Sequence, residues 1–206
     1  MHIQTCKKGL TLVELVIATA LIVIVLSGVS SLYYTSRQST VTIWSDLEAQ
    51  RDARRFTQEF RNFTRRANIA NNGAYPIDTA SSSQFIFYSD IDSDGLVERL
   101  RYEYYSASST VVRGIIKPTG TPYIYSTNNE ETTIVARGIR NASVGFNMFE
   151  YFDENYTTTG TPLSSPIDIT DVRVVRVYLL VDEDITSPPS AFDISTAIQI
   201  RNLKQN

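Results

Sequence analysis

Four acidic side chains crowded between positions 90 and 98 are the first sign of chemistry in this chain. The run Asp90-Ile91-Asp92-Ser93-Asp94-Gly95 reads D-x-D-x-D-G, and Glu98 follows it. Acids at alternate positions of a turn converge their oxygens, and a glycine permits the sharp reversal that a Ca²⁺ loop needs. Asp90, Asp92, Asp94 and Glu98 are therefore candidate ligands for calcium, and the residues suggest no other cofactor. A helix–loop–helix calcium site would need Glu in the place held by Arg101, and strand-like segments flank the run instead. It is not an EF-hand. The other reading is a polar hairpin turn without metal, because Asp-Gly is a strong turn signal by itself.

A fifth carboxylate stands inside an apolar stretch. From Leu10 to Leu26 the sequence LTLVELVIATALIVIVL carries one charge, Glu14, and continuing to Leu32 gives 23 residues. As a helix that is about 35 Å, enough for a hydrocarbon layer of about 30 Å. Lys7 and Lys8 precede it, so the positive-inside rule keeps the N-terminus cytoplasmic and exports the rest. A cleavable secretory signal is the alternative, with Ser27-Gly28-Val29-Ser30 supplying its small residues. The single cysteine, Cys6, precedes the apolar run, whereas the lipidated cysteine of a lipoprotein follows one. A carboxylate within a membrane span is costly and calls for a purpose and a partner; the bland reading is a Glu tolerated near the bilayer edge.

The octet Lys7-Lys8-Gly9-Leu10-Thr11-Leu12-Val13-Glu14 resembles the class III signal of type IV prepilins and type II secretion pseudopilins. Spacing, charge and apolar run match that signal across residues 7–32. The resemblance implies that a membrane prepilin peptidase cuts after Gly9 and methylates the new amine of Leu10. It also implies that Glu14, five residues into the released chain, guides assembly. The expected partner of Glu14 is then the terminal amine of Leu10 on a neighbouring subunit. A buried ion pair between staggered helices fixes register. Leu10 departs from the family's usual Phe. The first helix also lacks the proline that major pilins commonly carry, which points to a minor subunit. Implied partners are other pilin or pseudopilin subunits, the prepilin peptidase and the inner membrane.

These sites need elements to hold them. Ala49, Ala53, Phe56, Phe60, Phe63, Ala67 and Ala70 recur at steps of four and three, so one helix is expected from about Leu10 to about Ala70 with this stripe facing a core. Asn71-Asn72-Gly73 supplies a stop. The arginines at 51, 54, 55, 61, 65 and 66 read as the solvated face of that helix, or as a surface for DNA or a partner subunit. Strands are expected at Gln84–Tyr88, Val97–Tyr105, Val111–Lys117, Thr133–Val144, Val172–Val181 and Thr196–Leu203, with Ser/Thr/Pro/Gly/Asn-rich connections. Leu100, Tyr102 and Tyr104 alternate with Arg99, Arg101 and Glu103, giving one buried and one wet face. The fold class is α+β, a long N-terminal helix packed on an antiparallel sheet. The expected divisions are a leader over 1–9, a transmembrane or filament-core helix over 10–32, an amphipathic helix over 33–72 and a β-rich domain over 73–206. Asp90–Arg101, Val172–Val181 and Ile198–Leu203 also resemble minor pseudopilins of the J type and the related minor pilins called W.

Composition narrows the function. The chain has one histidine, His2, and one cysteine, both in the leader, so His-dependent triads and thiol catalysis are excluded in the cut form. The stretch Phe85–Asp94 resembles the D-x-D motif of haloacid dehalogenase-type phosphatases, but Ser93 stands where Thr or Val is expected. No enzyme is expected. The formal net charge of -3 makes no whole-molecule case for nucleic acid, which enters only if a filament serves DNA uptake. The favoured reading is a minor pilin or pseudopilin of a type IV pilus or type II secretion pseudopilus. The alternative is a membrane-anchored exported binding module, an adhesin or DNA receptor, that does not polymerise.

Overall fold

The computed structural model describes residues 11–157, 160–182 and 191–203. Helix α1 spans Leu12–Arg65, and the division of the chain into two compact units falls between Ile43 and Trp44. In the first unit the segment Leu12–Tyr34 has a mean hydropathy of 2.7, and none of it is buried. A helix that is apolar all round needs an apolar surround, supplied by a core or a bilayer.

In the second unit the character of α1 changes to amphipathic. Ala49, Ala53, Phe56 and Phe60 are buried, and Phe63 packs against them from a half-buried position. The six arginines of the opposite face are all exposed. Arg54 and Arg66 lie over the rings of Phe192 and Phe63, at 4.8 and 6.0 Å. The helix closes at Arg65 rather than near Ala70. Arg66 and Ala67 donate to the carbonyls of Phe63 and Thr64 in a tighter final turn, and the next amide, Asn68, donates to Tyr88 O at 2.8 Å. Ala67 and Ala70 stay buried, but on the connecting segment, so burial carried the apparent period past the helix.

The strands are antiparallel, as expected, but divide into two sheets. β1 (Ile77–Ala80), β2 (Gln84–Ser89), β3 (Glu98–Tyr105), β4 (Thr110–Ile116) and β5 (Glu131–Ala136) form a meander in chain order. β6 (Phe149–Phe152), β7 (Val174–Val181) and β8 (Phe192–Gln199) form the second sheet. The expected strand Thr133–Val144 is interrupted because Gly138 takes a φ of 66° and a 3₁₀ turn follows at Asn141–Val144. There the buried Asn141 donates to Tyr178 O and accepts from Leu180 N, at 2.8 and 2.9 Å, tying the connection to β7. The expected C-terminal strand lies earlier, and Arg201–Leu203 is a 3₁₀ turn. β1 and β6 were not expected. Each is four residues long, too short for alternation to declare itself.

Phe60 joins the layers of this second unit. Its ring centroid lies 6.0 and 6.4 Å from Phe85 and Phe87 on β2, 5.2 Å from Tyr102 on β3 and 5.6 Å from Phe149 on β6. On β3 the two-residue period buries Leu100 and Tyr102. Arg101, on the other face, forms a forked pair with Glu130 at 2.8 and 2.9 Å. That pair passes over Gly114, the β4 residue opposite Arg101, where an added Cβ would come within 2.1 Å of Glu130 Oε1. Gly114→Ala must therefore push Glu130 off Arg101. The expected cost is about 1–2 kcal/mol, the loss of a charge-assisted hydrogen bond less the gain of Ala over Gly in a strand. A thermal melt checks this, and Glu130→Gln in the Gly114→Ala background should then cost almost nothing more.

Candidate functional site

Two groups of residues carry the chemistry, one in each unit. Of the N-terminal group, Gly9 and Leu10 lie outside the described residues. Glu14 lies in the first turn of α1 and folds back on the residue before the helix. The Thr11 amide donates to Glu14 Oε2 at 2.9 Å, and the Thr11 hydroxyl donates to the same oxygen at 3.0 Å. In return the Glu14 amide donates to Thr11 Oγ1 at 3.3 Å. This is a capping box, which satisfies two donors that a helix start leaves without partners. Thr-x-x-Glu before an apolar run is its sequence signature, and Thr11–Glu14 carries it, a signal separate from the charge of Glu14. The carboxylate therefore has a local role in the helix start besides any role between subunits.

The acidic group lies on the hairpin that links β2 to β3. Ser93 and Gly95 take φ values of 63° and 89°, the left-handed conformations that reverse the chain. Asp90 accepts from the amides of Ser93 and Gly95, at 2.6 and 3.3 Å. Asp94 accepts from Leu96 N at 2.8 Å, and Asp92 from Asp94 N at 3.4 Å. One carboxylate oxygen each from Asp90, Asp92 and Glu98 falls within 4.8 Å of the other two. Asp94 does not join this group of three. Its carboxylate is turned along the loop to close the bend.

Glu98 differs from its neighbours in burial. It is the first residue of β3 and shares the inward face with Leu100 and Tyr102, so the strand's parity leaves it with no exposed surface. Its Oε2 accepts from Ile91 N at 3.1 Å, while Oε1 is buried without a hydrogen-bond partner among the described residues. Burial pushes the Glu98 carboxyl above the ordinary range, and the Ile91 amide opposes that. Lys117, just past β4, donates to Asp92 Oδ2 at 2.8 Å and holds the Asp92 carboxyl below its usual value.

Two residues outside the motif brace the base of the hairpin. Asn71 Oδ1 accepts from Val97 N at 2.7 Å. Tyr125 donates its hydroxyl proton to Val97 O at 2.7 Å and accepts from Asn71 N at 3.1 Å. Asn71 is 26 positions from Val97 in the chain and Tyr125 is 28, so no local pattern could have announced them.

Among known proteins, the family model for the prokaryotic N-terminal methylation motif matches residues 5–30. No curated protein and no solved structure matches the chain significantly. The matched stretch contains Gly9, Leu10 and the Thr11–Glu14 box, and it ends within the apolar half of α1.

Proposed function

Because the chain carries the N-terminal methylation motif, the signature of type IV prepilin-like proteins, we propose that it is a minor pilin or pseudopilin. In this reading the prepilin peptidase cuts after Gly9 and methylates the Leu10 amine. The apolar half of α1 holds the subunit in the inner membrane, with the β-rich part outside the cytoplasm. The helix then moves from bilayer to filament core, and fellow pilin-like subunits replace lipid around it. The role is structural rather than catalytic.

The observation that carries the proposal is Glu14, one carboxylate in a 23-residue apolar helix with no buried surface. A charge in that setting is retained for a purpose. A partner amine from a neighbouring subunit supplies one and also sets the stagger between helices. The absence of proline between Leu12 and Arg65 and the resemblance to J-type and W-type subunits favour a minor role.

An in-frame deletion scored in parallel for surface pili and for secreted enzymes tests the proposal. Loss of pili with normal secretion makes the protein a minor pilin. Loss of secretion with intact pili makes it a type II pseudopilin. If neither changes, the anchored binding module that never polymerises takes its place. Gly9→Ala is expected to block processing, so the chain migrates as a precursor nine residues heavier; unchanged mobility on a blot would count against peptidase processing.

A further inference from the structure

We propose that the β2–β3 hairpin binds one Ca²⁺ through the carboxylates of Asp90, Asp92 and Glu98. The three offered oxygens lie within 4.8 Å of one another. Three oxygens this close lie no more than about 2.8 Å from a common centre, so small side-chain movements bring them to the 2.3–2.6 Å of Ca²⁺ ligation. A row of acids alone would not carry this. The second observation is Glu98, which has no exposed surface and whose Oε1 is buried without a partner among the described residues. Leaving a buried acceptor unpaired is costly, and more so for a charged one. Coordination of a cation by this carboxylate offsets the burial of its charge and removes the repulsion from Asp90 and Asp92 in one step.

The surrounding charges leave room for a divalent ion. Among the described residues, the cation paired with this acidic group is Lys117, whose side chain is 60% exposed. An exposed ammonium pair with Asp92 is weak and screened by salt, so Ca²⁺ can displace it. The donor set is all oxygen, which selects a hard cation. A loop with only three side-chain ligands, completed by water or backbone carbonyls, suits the flexible coordination of Ca²⁺ better than the strict octahedron of Mg²⁺. Asp94 is not a ligand, because its carboxylate is not among the oxygens that converge within 4.8 Å of one another. Bound calcium would join Asp90 and Asp92 of the loop to Glu98 on the inward face of β3, clamping the hairpin to the sheet.

The test is thermal melting of the full-length protein in detergent, in chelator and in Ca²⁺ at about a hundred times its Kd. Saturation of that order should raise the melting temperature by about 5–10 °C. Asp90→Asn combined with Asp92→Asn should abolish the rise, whereas Asp94→Asn should keep it. Glu98→Gln keeps the proposal testable if acidic variants fold poorly. In chelator it should melt no lower than the parent, because a buried charge is gone, yet it should show no response to calcium. Equal melting of the parent in chelator and calcium would overturn the site. So would a full response to Mg²⁺ alone, or loss of the response in Asp94→Asn as complete as in the double variant.

Discussion

Glu14→Gln is expected to remove the subunit from sheared filaments while leaving it folded and in the membrane. The choice of glutamine separates the cap that the structure shows from the charge pairing that the proposed function adds. Gln can still accept from the Thr11 amide, as Glu14 Oε2 does at 2.9 Å, and it serves at this position of a capping box about as well as Glu. The helix start is therefore kept. Gln is also cheaper to insert in a bilayer than a carboxylate, so a failure to reach filaments could not be blamed on failed insertion. What Gln cannot do is pair as an anion with a terminal amine. Breaking a buried ion pair by removing one charge costs about 3–5 kcal/mol, a factor of a hundred or more in the equilibrium for joining a filament. The measurement is the ratio of subunit in filament and membrane fractions, with Glu14→Ala beside it. If Gln incorporates normally and Ala does not, Glu14 acts as a cap and the proposed charge pairing is wrong.

The parts of the fold readable in the sequence are those whose physics is periodic and local. The apolar span, the Phe56–Phe60 stripe and the alternation of Leu100 and Tyr102 with Arg99 and Arg101 each repeat a pattern; the span is wholly exposed, Phe56, Phe60, Leu100 and Tyr102 are buried, and Arg99, Arg101 and Tyr104 are half-buried. The same parity rule places Glu98 on the buried face, two positions before Leu100. The motif instead drew it into the set with Asp94, which the fold turns away. Motif spacing counts residues along the chain, whereas a ligand set depends on which way each side chain leaves the turn. The left-handed conformation of Ser93 alters that direction without leaving a mark in a pattern of acids. The division into two sheets was hidden for a different reason. It depends on Gly138, whose place in an apolar run is only a weak local sign of a break, and on the long-range bonds of Asn141 to β7, which have no local signature.

Phe60→Ala is expected to be the most damaging single change in the second unit. Truncating a fully buried Phe costs about 3–5 kcal/mol, through lost transfer energy and the cavity left behind. Phe60 belongs at the upper end because its ring meets three strands drawn from both sheets, so no single element can shift to fill the space. Aromatic pairs add about 0.5–1.5 kcal/mol each beyond their area, and five of them end together. At about 2–4 °C per kcal/mol for a chain of this size, the melting temperature should fall by about 10–15 °C. Phe63→Ala, on the same helix but half-buried, should cost well under half as much. Equal losses at the two positions would mean that the ring cluster around Phe60 is not the junction of the layers. The comparison also bears on the hairpin. Below its lowered melting temperature, Phe60→Ala should still respond to calcium as the parent does, because Asp90 and Asp92 take their positions from bonds within the loop and Glu98 takes its position from the start of β3.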